Sequence, residues 1–205
     1  MPATRYLYVT RHAEATADES ALTEAGRRQA ALLGERLAGV GLTAVRHGPS
    51  ARAEETARIV CERVGGVSAE AAEEAGDYPP YLPRREELPA ESADATVERL
   101  AGLSAEERAA GPALARAAEA RFTGPAEGDE ARHELVVTHA FLAAWLVRDA
   151  LDAPAWRWIG LNHANTGLTV IRYPPGRPAA LTLFNDLGHL PEELRRPGYP
   201  PELRA

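Results

Sequence analysis

The sequence predicts an α/β fold, a three-layer sandwich with a mostly parallel central sheet flanked by helices. Three observations carry this prediction. Over the first 64 residues strand-like and helix-like segments alternate, the pattern of a parallel sheet covered by its crossover helices. Further on, the apolar run ELVVT at 134–138 passes straight into an apolar helical pattern at 140–151. Hydrophobic residues make up 45% of the 205, enough for a substantial core in one globular unit.

Arg5 to Thr10 (RYLYVT) is aromatic and β-branched and reads as a buried strand, followed by the charged loop TRHAEATADES. Leu22, Ala25, Gln29, Leu32, Leu33, Leu37 and Val40 then recur at helical spacing. Thr23 suits the N-cap, Glu24 sits where the helix dipole favours an acid, and Gly39 or Gly41 ends the helix. Leu42 to Arg46 reads as a second strand and His47-Gly48-Pro49 as a turn. Ser50 caps a helix with Ala53, Thr56, Ala57, Val60 and Val64 on one face. The stretch GDYPPYLPRREELP at 76–89 holds four prolines, which exclude a continuous helix or a central strand and predict a long excursion. A single domain over 1–205 is therefore expected to carry an irregular, Pro-rich and helical insertion at about 70–125. Ser104 to Phe122 reads as an Ala-rich helix, kinked or broken at Gly111-Pro112. Gly167–Tyr173 and Ala180–Phe184, joined by Pro174-Pro175-Gly176, read as an antiparallel edge pair.

Charge and composition exclude several function classes. With 23 basic against 30 acidic residues the net charge is −7, which disfavours nucleic acid as a partner. All the basic residues are Arg, so Schiff-base and P-loop lysines are excluded, and any anion chemistry falls to Arg, His and backbone amides. Cys61 is the only cysteine, which rules out an internal disulfide and a multi-cysteine zinc site. No run reaches the length of a signal peptide or a membrane span, so no membrane partner and a cytoplasmic location are expected.

Two histidines fall at equivalent places: His12 two residues past the first strand, and His139 one residue past ELVVT. The carboxyl ends of parallel strands share one edge of a sheet, where ligands bind. Either histidine alone is commonly structural, but the matched pair, with Arg11 beside one of them, points to a shared cleft. Arg52 lies in the first turn of a helix that starts at the same edge, where unpaired amides already favour an anion. Arg11, His12, Arg52 and His139 together suit a phosphoryl dianion, whose oxygens match the guanidinium forks and whose phosphorus an imidazole nitrogen can attack in line.

The strings TRHAEA at 10–15, LTEAGRRQA at 22–30, RAEETA at 52–57 and VVTHA at 136–140 resemble, in this order, the motifs of the histidine phosphatase (phosphoglycerate-mutase-like) superfamily. NDLGHL at 185–190 resembles its closing segment, so the resemblance covers nearly the whole chain. It implies that His12 becomes phosphohistidine, and that Arg11, Arg52 and His139 complete the phosphate pocket, His139 acting best as a cation. No metal or other cofactor is implied. A carboxyl group is also implied, as proton donor and then as base for the hydrolytic water. Glu70, Glu73, Glu74 and Asp77 are available; Asp77 is preferred for the proline pattern after it, and Glu74 is the alternative. Three departures stand out. Ala13 replaces the commoner Gly, Gly48 stands where Ser is usual, and Asp18 falls where Asn is common and is left out of the pocket.

The resulting expectation is a metal-independent phosphomonoester hydrolase. The alternatives are a phosphoglycerate-type mutase, for which 205 residues leave little room for enclosing insertions, and a catalytically weak phosphate-binding module. A metallohydrolase using His12, Glu14, His139 and Asp77 is a further reading, which EDTA would reveal. The partner is a phosphorylated small molecule or phosphoprotein. Tyr78, Tyr81, Arg84 and Arg85 are placed near the mouth, and Trp156 and Trp158 at its rim or in packing. The sequence leaves the oligomeric state open.

Overall fold

The computed structural model describes residues 1–195. In chain order its strands and helices are β1 Pro2–Ala3, β2 Arg5–Arg11, α1 Glu24–Leu37, β3 Ala44–His47, α2 Ala51–Val64 and β4 Ala69–Ala71, then α3 Ala93–Ala101, α4 Ala105–Phe122, β5 Ala126–Glu127, β6 Arg132–Thr138, α5 Ala140–Ala150, β7 Leu168–Tyr173 and β8 Ala180–Asp186. The main sheet has the order β4-β3-β6-β2-β7-β8, and β1 pairs with β5 separately. β2, β3, β4 and β6 run parallel, whereas β7 is antiparallel to both β2 and β8. The expected α/β sandwich with a mostly parallel sheet is thus present, with the antiparallel pair at one edge.

Alternation along the strands builds the two faces. In β6, Leu135 and Val137 join Leu33 and Leu37 of α1 and Ala53, Ala57 and Val60 of α2 in one core. Val136 points the other way, with Leu7 and Val9 of β2, to meet Ala115, Ala118 and Phe122 of α4 and Leu142 and Leu146 of α5. Helices therefore cover both faces, and the central strands must be apolar on both sides, which is why they read as continuous runs.

The break allowed for at Gly111-Pro112 does not occur: α4 runs on through the dipeptide. Pro112 still removes one hydrogen bond. Its clash with the preceding residue, however, falls partly on that residue's Cβ, which Gly111 lacks. Gly111 is required from outside the helix as well, because a Cβ there would lie 2.1 Å from the Pro79 carbonyl oxygen. The dipeptide is where the Pro-rich excursion lies directly on α4. The start of the expected insertion also contributes edge strand β4 to the sheet and continues into a 3-10 turn at Glu73–Ala75.

Candidate active site

Strand register alone brings the two histidines together. β2 and β6 pair residue for residue up to Arg11 and Thr138, so the next residues, His12 and His139, leave the sheet side by side, with His12 N–H donating to the Thr138 carbonyl at 2.9 Å. Their ring centroids are 5.0 Å apart. β3 ends at the same edge, and Gly48 N–H donates to the Val137 carbonyl at 3.1 Å. Ser50 then caps α2, accepting from Ala53 N–H, and Arg52 falls in the first turn. His139 occupies the N-cap position of α5. Two helix N-termini and four anion-binding side chains thus converge on one point.

Each recognised string has a physical task in holding the His12 loop. Thr23 caps α1 through Gly26 N–H, and its hydroxyl donates to the Glu14 carboxylate at 2.8 Å. A Cβ on Gly26 would come within 2.0 Å of the Glu14 carbonyl oxygen, so only glycine lets α1 sit against that loop. Gln29, fully buried, accepts from Glu14 N–H and donates to the Leu194 carbonyl, both at 2.8 Å. Thr56 accepts from Ala13 N–H at 3.0 Å and donates to the Arg52 carbonyl at 2.7 Å, locking the His12 loop to the turn that carries Arg52. Asn165 donates to the His12 carbonyl at 2.8 Å. The loop holding Asn165 is pinned in turn by Asn185, whose side chain accepts from Ala164 N–H.

The side chains line a cavity of about 270 Å³ that includes Arg11, His12, Arg52, Asp77 and His139. His12 is 5% exposed, and its Nδ1–H donates to the Ala13 carbonyl at 2.8 Å. That bond assigns the tautomer and leaves Nε2 with its lone pair, which accepts from Arg52 Nε–H at 3.1 Å. Burial, then the neighbouring His139 and Arg11, push the His12 pKa down to about 3. The ring is accordingly neutral near pH 7, the state in which Nε2 is nucleophilic. An Arg11 guanidinium nitrogen donates to the His163 carbonyl at 3.3 Å.

Asp77 is delivered by the segment after β4. The Thr138 hydroxyl donates to the Ala75 carbonyl at 2.7 Å, and a Cβ on Gly48 would come within 2.4 Å of that same oxygen. Glycine where Ser was expected is therefore what lets this segment close over the strand ends. Asp77 Oδ2 lies 3.3 Å from Arg52 and 3.3 Å from His139 Nδ1. Burial alone would raise the Asp77 pKa, but the hydrogen bond and charge of His139 and the charge of Arg52 outweigh it and hold it below the ordinary carboxylate value. Glu74, the alternative, is not brought to the cavity; its carboxylate pairs with Arg121 at 2.5 Å. Glu14 is turned toward Thr23, and Asp18 binds Thr16 and Ser20. Among the described residues no group of three or more His, Cys, Asp or Glu is placed to hold a metal ion.

Several lining residues escaped the sequence reading. Glu19, at φ 58°, reaches Arg52 at 3.3 Å from the loop before α1. Glu107 enters from the first turn of α4, with Leu103 and Phe141 nearby on the wall. Ser50, read only as a cap, also sits 3.2 Å from His139 Nε2. No sequence signal marks Glu19 or Glu107 among so many surface acids. Of the aromatic and basic residues placed near the mouth, Tyr78 lines the cavity. Tyr81 and Arg84 bind Glu87, and Arg85 binds Asp94. Trp158 is buried and donates to the Tyr81 carbonyl, so it fastens the Pro-rich segment to the core.

A parallel sheet whose strand ends gather two imidazoles, two guanidiniums and a carboxylate defines an anion-binding α/β protein of the phosphoryl-transfer class. Residues 7–186 match the histidine phosphatase superfamily (branch 1), and the chain belongs to that superfamily. It is similar to the serine/threonine-protein phosphatase Pgam5, mitochondrial, of Caenorhabditis briggsae, at 29% identity over 196 residues, 92% of this chain and 65% of the relative's length. Its fold is that of a mycobacterial glucosyl-3-phosphoglycerate phosphatase (TM-score 0.60, 24% identity, 89% of this chain and 99% of the other). It is equally that of a phosphoglycerate mutase from Plasmodium falciparum (TM-score 0.60, 20% identity, 93% and 96%). One fold thus serves both activities, and the distinction rests with the site.

Proposed function

We propose that the chain is a metal-independent phosphomonoesterase working through a phosphohistidine on His12. The observation that supports this most is the His12 Nε2 lone pair, neutral by burial and aimed into a cavity whose other walls are Arg11, Arg52, His139 and Asp77. The substrate phosphoryl group draws Arg52 away from the carboxylates and from His12 Nε2, which frees the lone pair, and its equatorial oxygens take Arg11, Arg52 and His139. Nε2 attacks phosphorus in line as the ester P–O bond breaks, and Asp77 gives its proton to the departing oxygen. The Asp77 carboxylate then takes a proton from water, whose oxygen attacks phosphorus as the N–P bond breaks. Inorganic phosphate, neutral His12 and protonated Asp77 result.

With Arg52 and His139 as its partners, Asp77 is held ionised. A bound dianion draws Arg52 and His139 onto itself and places negative charge beside the carboxyl, and both effects raise its pKa toward that of a working acid. The test is turnover of p-nitrophenyl phosphate by wild type and by His12→Ala, with acid-labile phosphate on the protein measured after a quench. Wild type should show turnover and label, and the variant neither. Unchanged turnover in His12→Ala would remove the nucleophile assignment. EDTA should leave the rate unaltered.

A further inference from the structure

We propose that the mouth of this cavity selects phosphomonoesters whose leaving group carries no second anion, and that Glu19 and Glu107 impose the selection. The proposal rests on the phosphatase reading above and names its substrate class.

Charge is segregated along the cavity. Of the residues lining it, His12 and His139 are buried and Arg11 and Arg52 half-buried, whereas Glu19 and Glu107 are exposed, so the acids stand toward solvent, with half-buried Leu103 and Phe141 also on the lining. Arg99 is not on this lining; it lines a neighbouring cleft of about 60 Å³ that shares Ala140 and Phe141 with the cavity. Glu107 stays in place because its carboxylate also accepts from Ser104 N–H at the start of α4. Glu19 is the acid held by Arg52. Arg52 already donates Nε–H to His12 and pairs with Asp77 and Glu19, so an arriving phosphate oxygen must displace a carboxylate. Glu19 is the more exposed of the two, 65% against 49% for Asp77, and sits on a loop. Once released from Arg52 it remains at the mouth, facing the group attached to phosphate.

At about 270 Å³ the cavity lies below the ~300–1,000 Å³ of sites for drug-sized ligands. The atoms next to the phosphate therefore lie against this wall. A carboxylate or second phosphate there meets two like charges, and an ammonium group meets two opposite ones. In an aqueous dielectric at ~6 Å each such charge changes affinity about threefold.

The test uses three two-carbon esters with different leaving-group charge: phosphoethanolamine, ethyl phosphate and phosphoglycolate. Values of kcat/KM are measured at low ionic strength for wild type, Glu19→Gln, Glu107→Gln and the double variant; glutamine keeps the α4 cap. Wild type should favour ethyl phosphate over phosphoglycolate about tenfold, and phosphoethanolamine should be the best of the three. Each single substitution should shrink the ratios about threefold, and added salt should compress them in wild type. A wild-type preference for phosphoglycolate, or ratios that neither substitution moves, overturns the selection while leaving the phosphatase reading intact. No turnover of these esters or of p-nitrophenyl phosphate overturns both.

Discussion

Asp77→Asn separates the two roles proposed for this carboxylate, because it removes both a charge and the proposed proton carrier while keeping the shape. The lost charge lies 3.3 Å from Arg52 and 3.3 Å from His139. Two unit charges at ~4 Å interact by ~1 kcal/mol in water and ~4 kcal/mol at an effective dielectric of 20. The Asp77 side chain is 49% exposed, so screening places the value near the lower limit. Freed of this competitor, Arg52 should bind inorganic phosphate with about 1 kcal/mol more affinity, a roughly fivefold fall in its inhibition constant. The lost proton carrier should cost ~10²–10⁴-fold in rate wherever a proton must move. Ethyl phosphate needs that proton in the first step, so its turnover should fall by this factor with no burst. p-Nitrophenolate leaves unaided, so the variant should release one equivalent in a rapid burst and then stall at the hydrolysis of phosphohistidine, with acid-labile phosphate accumulating. The assay is stopped-flow absorbance at 400 nm on the order of seconds, alongside phosphate inhibition. Undiminished turnover of ethyl phosphate, or weaker phosphate binding, would refute the assignment.

Three further outcomes follow from the packing. Gln29→Leu leaves the Glu14 N–H and the Leu194 carbonyl without their partners, and at ~1–3 kcal/mol for each stranded group the loss should be about 2–6 kcal/mol by urea denaturation; under ~0.5 kcal/mol would contradict these roles. Gly111→Ala gains helix propensity of ~1 kcal/mol but drives a Cβ to 2.1 Å from the Pro79 oxygen, so it should destabilise the chain and raise KM by shifting the cavity wall; a net gain in stability would refute the contact. Stability should also fall with acidification from the unfolded histidine pKa of about 6.5. His12 is depressed to about 3, and His163 and His189 to about 4, chiefly by burial. In that window the unfolded chain binds protons that the folded one refuses, at about 1.4 kcal/mol per pH unit for each histidine. His163→Gln should remove about one histidine's share of the slope, and an unchanged slope would show that His163 titrates normally.

What was legible in the sequence followed periodicity and local chemistry. The strands carrying Val9 and Val136, the capped helices at Thr23 and Ser50, and the placement of His12 and His139 depend on neighbours a few residues away or on strand direction. What was illegible depends on contacts across the fold. Gly111-Pro112 carries the local signature of a break, yet glycine is there for the Pro79 carbonyl, which is distant in sequence. Strand β4 is AEA, an edge segment with no apolar pattern, and α3 is a nine-residue helix whose buried face is only Ala93, Thr96 and Leu100, a short signal directly after the Pro-rich stretch. Asp77 and Glu74 differ by three positions in an acidic segment. The hydrogen bond from Thr138 to Ala75 and the close approach at Gly48 aim one carboxylate at the histidines, while the other meets Arg121.

Arg52 holds the His12 lone pair, Asp77 and Glu19 at once, so its charge is already met by groups of the protein itself. A phosphate dianion must exchange places with internal carboxylates, and the net gain in Coulomb energy is much smaller than the count of guanidiniums suggests. The same exchange returns Asp77 and Glu19 to Arg52 when inorganic phosphate leaves. Product therefore competes against groups tethered to the site, whose effective concentration does not fall with dilution. On the proposed mechanism, in a chain of net charge −7, the internal carboxylates weaken ground-state binding of the dianion and speed its release. The same proposal keeps strong stabilisation for the transferring phosphoryl group, which in-line attack sets between Nε2 of His12 and the Asp77 carboxyl.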